Sequence, residues 1–172
     1  MHKSLLKEDV ELPFGVVMVT YDLPKWKWFV EKLIDEEDLA PQKNLEGRSY
    51  HDKPHTTILD GLSPEISIDD VKPLLQHLEK IDVEFLNIDF FEGKYFDVVK
   101  FNCESPYLKA QNQIVKTLPH KELYDGYNIH TTIAYVKKGE GQKYVRKITP
   151  FTLKPDGYLF SSPDRATVSF II

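Results

Sequence analysis

The chain has one cysteine, Cys103, in 172 residues, so no internal disulfide can hold it together. No stretch approaches the roughly 20 apolar residues of a membrane-spanning helix, and Met1-His2-Lys3-Ser4-Leu5-Leu6 is too short an apolar run for a secretory signal. These absences point to a cytoplasmic protein with no membrane partner. A basic excess is missing too: 22 Lys and Arg stand against 27 Asp and Glu, a net charge of −5. Long nucleic acid is therefore not an expected partner, since non-specific binding of a polyanion needs a basic face. A small anionic ligand held by a few local cations is still compatible. No low-complexity linker interrupts the sequence, and its length suits one domain, residues 1–172, with a shared core.

Two common hydrolytic arrangements are also absent. There is no G-x-S-x-G elbow for a serine nucleophile. Neither HExxH nor a Cys–His spacing that would hold zinc occurs, so no metal and no cofactor is expected.

What is present occurs twice. His55-Thr56-Thr57-Ile58 and His130-Thr131-Thr132-Ile133 are the same tetrapeptide, 75 positions apart. Their β-branched residues fit a pleated strand. On a strand, residues i and i+2 share a face, roughly 7 Å apart. Each copy therefore sets one imidazole beside one hydroxyl, His55 with Thr57 and His130 with Thr132. Two such strands side by side would bring both pairs to one cleft.

Around these motifs the chain alternates strand and helix. Residues 1–12 read as a loop or loosely attached arm. The apolar run 14–21 suits a buried strand, and a helix follows from Pro24, with Trp26, Phe29, Val30, Leu33 and Ile34 as its stripe. Residues 39–53 carry Lys43, Arg48, His51 and Lys53, and read either as a solvated loop or as a lid over an anionic ligand. After a motif strand at 54–60, a helix capped by Ser67 or Asp69 runs to about Lys80, with Val71, Leu74, Leu75 and Leu78 inward. Strands 83–91 and 95–102 form a hairpin. Ser105-Pro106 opens a helix with Leu108, Ile114, Val115 and Leu118 apolar, leading to the second motif strand at 128–137. A short helix at 138–148 and strands at 149–160 and 166–172 close the chain. The expected class is α+β: two pseudo-symmetric α/β lobes, roughly 13–103 and 104–172, with mixed or antiparallel sheets forming a central cleft.

Histidine titrates near neutrality, so two of them can hold opposite protonation states at pH 7. Cleaving a phosphodiester needs a base for the attacking hydroxyl or water and an acid for the leaving oxygen. The non-bridging oxygens need fixed donors, which Thr57 and Thr132 can supply. Which histidine is base and which acid is open at this level. Arg48, Lys53 and Arg146 are candidate phosphate clamps, and solvated surface charges on the blander reading. Trp28, Tyr124, Tyr127 and Tyr135 are candidate base platforms, or ordinary packing aromatics.

With both His-x-Thr motifs in strands of matching context, the chain resembles the two-histidine (2H) phosphoesterases, whose signature is a pair of H-x-[ST]-x motifs, one per lobe. Thr56 and Thr131 depart from the apolar residue often found between His and Thr, a change that a position facing away from the cleft should tolerate. The resemblance implies a metal-independent phosphodiesterase acting on nucleotide or RNA ends, commonly on 2′,3′-cyclic or 2′,5′-linked phosphates, with a cyclic or short nucleotide as its partner and His55, Thr57, His130 and Thr132 as catalytic residues. Size and layout look most like the phage anti-CBASS enzymes, which would make the substrate a cyclic di- or oligonucleotide of bacterial antiviral defence, met in the host cytoplasm. The alternatives are RNA 2′,3′-cyclic or 2′,5′-phosphodiesterase activity and a non-catalytic nucleotide-binding module. In the anti-CBASS group a first-strand tyrosine contributes, and Tyr21 is the nearest counterpart; it reads equally as an aromatic packed at a strand end.

Overall fold

The structure is a computed structural model describing residues 14–21, 26–41, 54–164 and 166–172, with the side chains of 27–30 outside the description. The described residues form eight strands: β1 (Gly15–Thr20), β2 (His55–Leu62), β3 (Val83–Glu92), β4 (Phe96–Glu104), β5 (His130–Lys137), β6 (Arg146–Leu153), β7 (Gly157–Ser161) and β8 (Thr167–Phe170). The α-helices are α1 (Trp26–Leu33), α2 (Ile68–Val71) and α3 (Pro106–Val115). Among the described residues no helix is long and apolar enough to cross a membrane.

All eight strands join one sheet in the order β6-β3-β4-β5-β2-β1-β7-β8. Every pairing is antiparallel. The two motif strands, β5 and β2, meet at its centre, and three strands extend outward on each side. The halves interleave along the sequence. One takes β3 to β6 and the other takes β1, β2, β7 and β8, so a boundary between residues 103 and 104 falls inside the first half.

The halves are related by a pseudo-two-fold axis, which the strand register makes explicit. In β1–β2, Met18 pairs with Thr57 and Val17 with Leu59, leaving Ile58 as an extra residue. In β4–β5, Lys100 pairs with Thr132 and Val99 with Ala134, leaving Ile133 extra. Each motif thus runs into a bulge at its isoleucine. A bulge sharpens the local twist and re-aims the neighbouring side chains.

The core lies on the face of the sheet opposite the motif histidines. Phe85 and Phe101 meet edge to face at 5.3 Å there, beside Tyr21 and Trp26. In α3, Ser105 caps the N-terminus by accepting from the Leu108 N–H, and Pro106 sits in the first turn. Leu108 and Val115 are buried as their spacing predicts, whereas Ile114 is exposed. The remaining inward positions belong to Gln111 and Asn112. The Gln111 side chain bonds the backbone at Gln76 and Leu74, and that of Asn112 bonds the backbone at Ile58. This helix packs over backbone groups without ladder partners, one in β2 at Ile58 and two in the turn at Leu74 and Gln76, so it needs amides where a plain core helix would carry aliphatics.

Two sequence expectations are corrected. The helix expected to reach Lys80 ends at Val71, although the Asp70 carboxylate accepts from the Ser67 N–H as a cap partner. Pro73 has no N–H to continue the ladder, and only 3-10 turns follow at Lys72–Leu74 and Leu78–Lys80. The strand expected over 149–160 is two strands, broken at Lys154-Pro155-Asp156, and β6 and β7 lie in opposite halves of the sheet.

Candidate active site

β2 and β5 touch at one residue pair, Thr56 with Thr131. These two threonines are fully buried on the core face, with their Oγ1 atoms 2.7 Å apart. Because the strands run antiparallel, one step either way from that contact sets His55 beside Thr132 and Thr57 beside His130 on the opposite face. All four of these side chains are partly exposed. The four predicted catalytic residues are thus brought together, each imidazole facing the hydroxyl of the other motif.

Beyond this contact the strands splay, and side chains take over the freed backbone groups. The Tyr127 hydroxyl donates to the Thr57 carbonyl at 2.8 Å, and Asn112 Nδ2 donates to the Ile58 carbonyl at 2.7 Å. The cleft is therefore a gap in the sheet whose β2 lip is held by two side-chain hydrogen bonds.

His130 has a defined tautomer. Its Nδ1–H donates to the Asn128 carbonyl at 2.9 Å, so Nε2 carries the lone pair. Its ring stands edge-on to Phe91, centroids 4.9 Å apart. Burial pushes the imidazole down to about 4; the Asn128 bond opposes this, and the positive charges of Lys100 and His55 add to it. At neutral pH the ring is uncharged, with Nε2 able to accept a proton.

Lys100 was not singled out in the sequence. It is 4% exposed and lies one strand over from Thr132, beside Asn102, which pairs with His130. Its ammonium donates to Asn102 Oδ1, sits 4.4 Å over the Phe91 ring, and lies 4.0 Å from Asp89 Oδ2. Burial lowers its pKa and Asp89 opposes that. The sequence did hold a signal: Lys100 interrupts an otherwise apolar run, Val98-Val99-Lys100-Phe101.

The other candidates separate. Tyr21 is on the core face, 1% exposed, and its hydroxyl meets Thr56 Oγ1 at 2.8 Å, beneath the cleft rather than in it. Arg146 pairs with Ile88, a core-facing residue, and so projects from the other side of the sheet; the side chain on the cleft side is Lys147, which pairs with Asn87. Tyr135 does share the cleft face, edge-on to Phe96 at 5.3 Å. Tyr124 reaches Asp60 Oδ2 at 3.4 Å. Arg48, with Lys43, His51, Lys53 and most of the proposed lid, lies outside the described residues, as does the Trp28 side chain. Among the described residues no three His, Cys, Asp or Glu side chains converge to hold a metal ion.

No protein-family model and no curated protein matches the chain. Its likeness is in the fold. Kluyveromyces marxianus Usb1 superposes with a TM-score of 0.59 at 9% identity, over 94% of this chain and 99% of that one. The same protein solved with uridine monophosphate gives 0.57 at 9% identity, over 95% and 100%. The fold is thus shared with Usb1 over nearly the full length of both chains.

Proposed function

We propose that the chain is a phosphodiesterase that cleaves short nucleotide phosphodiesters by paired acid–base catalysis. One observation carries this reading: the single Thr56–Thr131 contact, which sets two His-x-Thr pairs face to face across a gap in the sheet. His130 Nε2 takes the proton of the attacking ribose hydroxyl or water as the new P–O bond forms. His55 gives a proton to the leaving oxygen as the old P–O bond breaks. Thr57 and Thr132 donate to the non-bridging oxygens. Solvent then returns the proton from His130 to His55. The neutral state of His130 and the lone pair left on its Nε2 support this assignment of roles.

Within this class we favour RNA or nucleotide ends as the substrate, because the related fold of Usb1 accepts a single uridine nucleotide. Cyclic oligonucleotides of the anti-CBASS kind are the second reading, and rest on the compact layout of the motifs. Mass spectrometry on a panel with EDTA present tests both. 2′,3′-cyclic and 2′,5′-linked ends are the expected substrates. Turnover of only the cyclic di- and trinucleotides would move the assignment to the second reading. Binding without any cleavage would make the protein a nucleotide-binding module.

A further inference from the structure

The two lips of the cleft are related by the pseudo-two-fold axis, yet they differ in charge. Carried across that axis, Lys100 corresponds to Met18, since each pairs with the motif threonine of its half. Asn102 corresponds to Thr20, each paired with the motif histidine. One strand further out, Asp89 and Asn87 correspond to Leu159 and Gly157. One side of the site thus carries a lysine, a carboxylate and two amides, where the other carries a thioether, an isobutyl group, a hydroxyl and no side chain.

Burying an ammonium is costly unless its donors are met. Lys100 makes one hydrogen bond, to Asn102, out of three available. Asp89 at 4.0 Å is beyond hydrogen-bonding distance, and its side chain is 42% exposed. The site is built around a cation that is only partly compensated. The Lys100 backbone lies one strand spacing, about 4.8 Å, from that of Thr132, and its ammonium reaches along β4 to Asn102, the residue paired with His130, over the ring of Phe91 that His130 also meets.

Resting on the phosphodiesterase reading, we propose that Lys100 binds a second phosphate flanking the scissile one, so that the cleft takes nucleotides bearing two phosphates in a single orientation. The Met18 side offers no such partner among the described residues, and a reversed substrate would leave both its flanking charge and Lys100 uncompensated.

The test is calorimetric binding of a nucleoside 3′,5′-bisphosphate and the matching 3′-monophosphate, which needs no turnover. Wild type should hold the bisphosphate at least about tenfold tighter, the scale of one charge-assisted contact. Lys100→Met, which installs the residue of the opposite half, should cut that preference below about threefold while monophosphate affinity changes little. Lys100→Arg should keep it. Asp89→Asn, at a half-exposed site, should raise it severalfold by freeing the ammonium. An equal preference in wild type and Lys100→Met, or no change with Asp89→Asn, would overturn the inference. If wild type bound both ligands equally well, the phosphodiesterase reading would stand and this one would fall. Binding of neither would take down both.

Discussion

The Thr56 and Thr131 hydroxyls meet at 2.7 Å across the only register pair that joins the two motif strands. Thr56 Oγ1 also meets the Tyr21 hydroxyl at 2.8 Å, and the Cys103 thiol lies 3.7 Å from Thr131 Oγ1. The residues that stand between histidine and threonine in each motif are thus the clasp of the molecule, on the side away from the chemistry.

That clasp predicts an order of stabilities. Thr131→Val takes one of two partners from the Thr56 hydroxyl, which keeps Tyr21, and should cost about 1 kcal/mol. Thr56→Val strands the Tyr21 hydroxyl and leaves Thr131 with only the Cys103 thiol, and should be the more destabilising. Urea unfolding of the single variants checks this, and the reverse order would contradict the network.

Removing either imidazole should stop the chemistry without unfolding the protein. His55→Ala and His130→Ala should each lower turnover at least about a hundredfold. The double variant should be little worse than the worse single one, because acid and base act as one unit. Losses that multiplied would mean two independent contributions.

His130 also links stability to pH. Its folded pKa, about 4, is below the roughly 6.5 of an unfolded histidine. Between these values the unfolded chain binds a proton that the folded chain does not. Stability should therefore rise with pH across that window and be lost as pH falls from about 6.5 toward about 4. Denaturation midpoints of wild type and His130→Gln at pH 7 and pH 5 should show the wild type losing more. The acid limb of kcat/KM should likewise begin below pH 6, and a limb centred near 6.5 would remove His130 as the base.

Asn112 holds one lip of the cleft through the Ile58 carbonyl. Asn112→Leu fills similar space without the donor and should cost about 1–3 kcal/mol. Because the loosened strand carries Thr57, turnover should fall as well, by less than in the histidine variants. Full activity with unchanged stability would show that water replaces the amide.

The placement of the motif side chains was legible in the sequence because it is local: a strand with period two puts His55 with Thr57 and His130 with Thr132 whatever surrounds them. The strands and α3 were legible for the same reason, from patterning and from the Ser105-Pro106 cap. The partners across the sheet were not. That Lys100 borders Thr132 and Asn102 borders His130 depends on strand order and register, which no local pattern carries. Arg146 attracted attention by residue type and Tyr21 through the family resemblance, and the folded sheet puts both on the other face. Pro73 and Pro155 were visible breaks, and the elements drawn through them were too long.

The sheet order has a consequence for how the chain reaches this state. The Thr20 hydroxyl donates to Asp156, 136 residues later, and β1 lies between β2 and β7. Contacts this distant give a high contact order and slow, barrier-limited assembly. During synthesis β1 waits with one edge unpaired until β7 leaves the ribosome, and until then β1 is the segment most open to chaperones or to a second nascent copy.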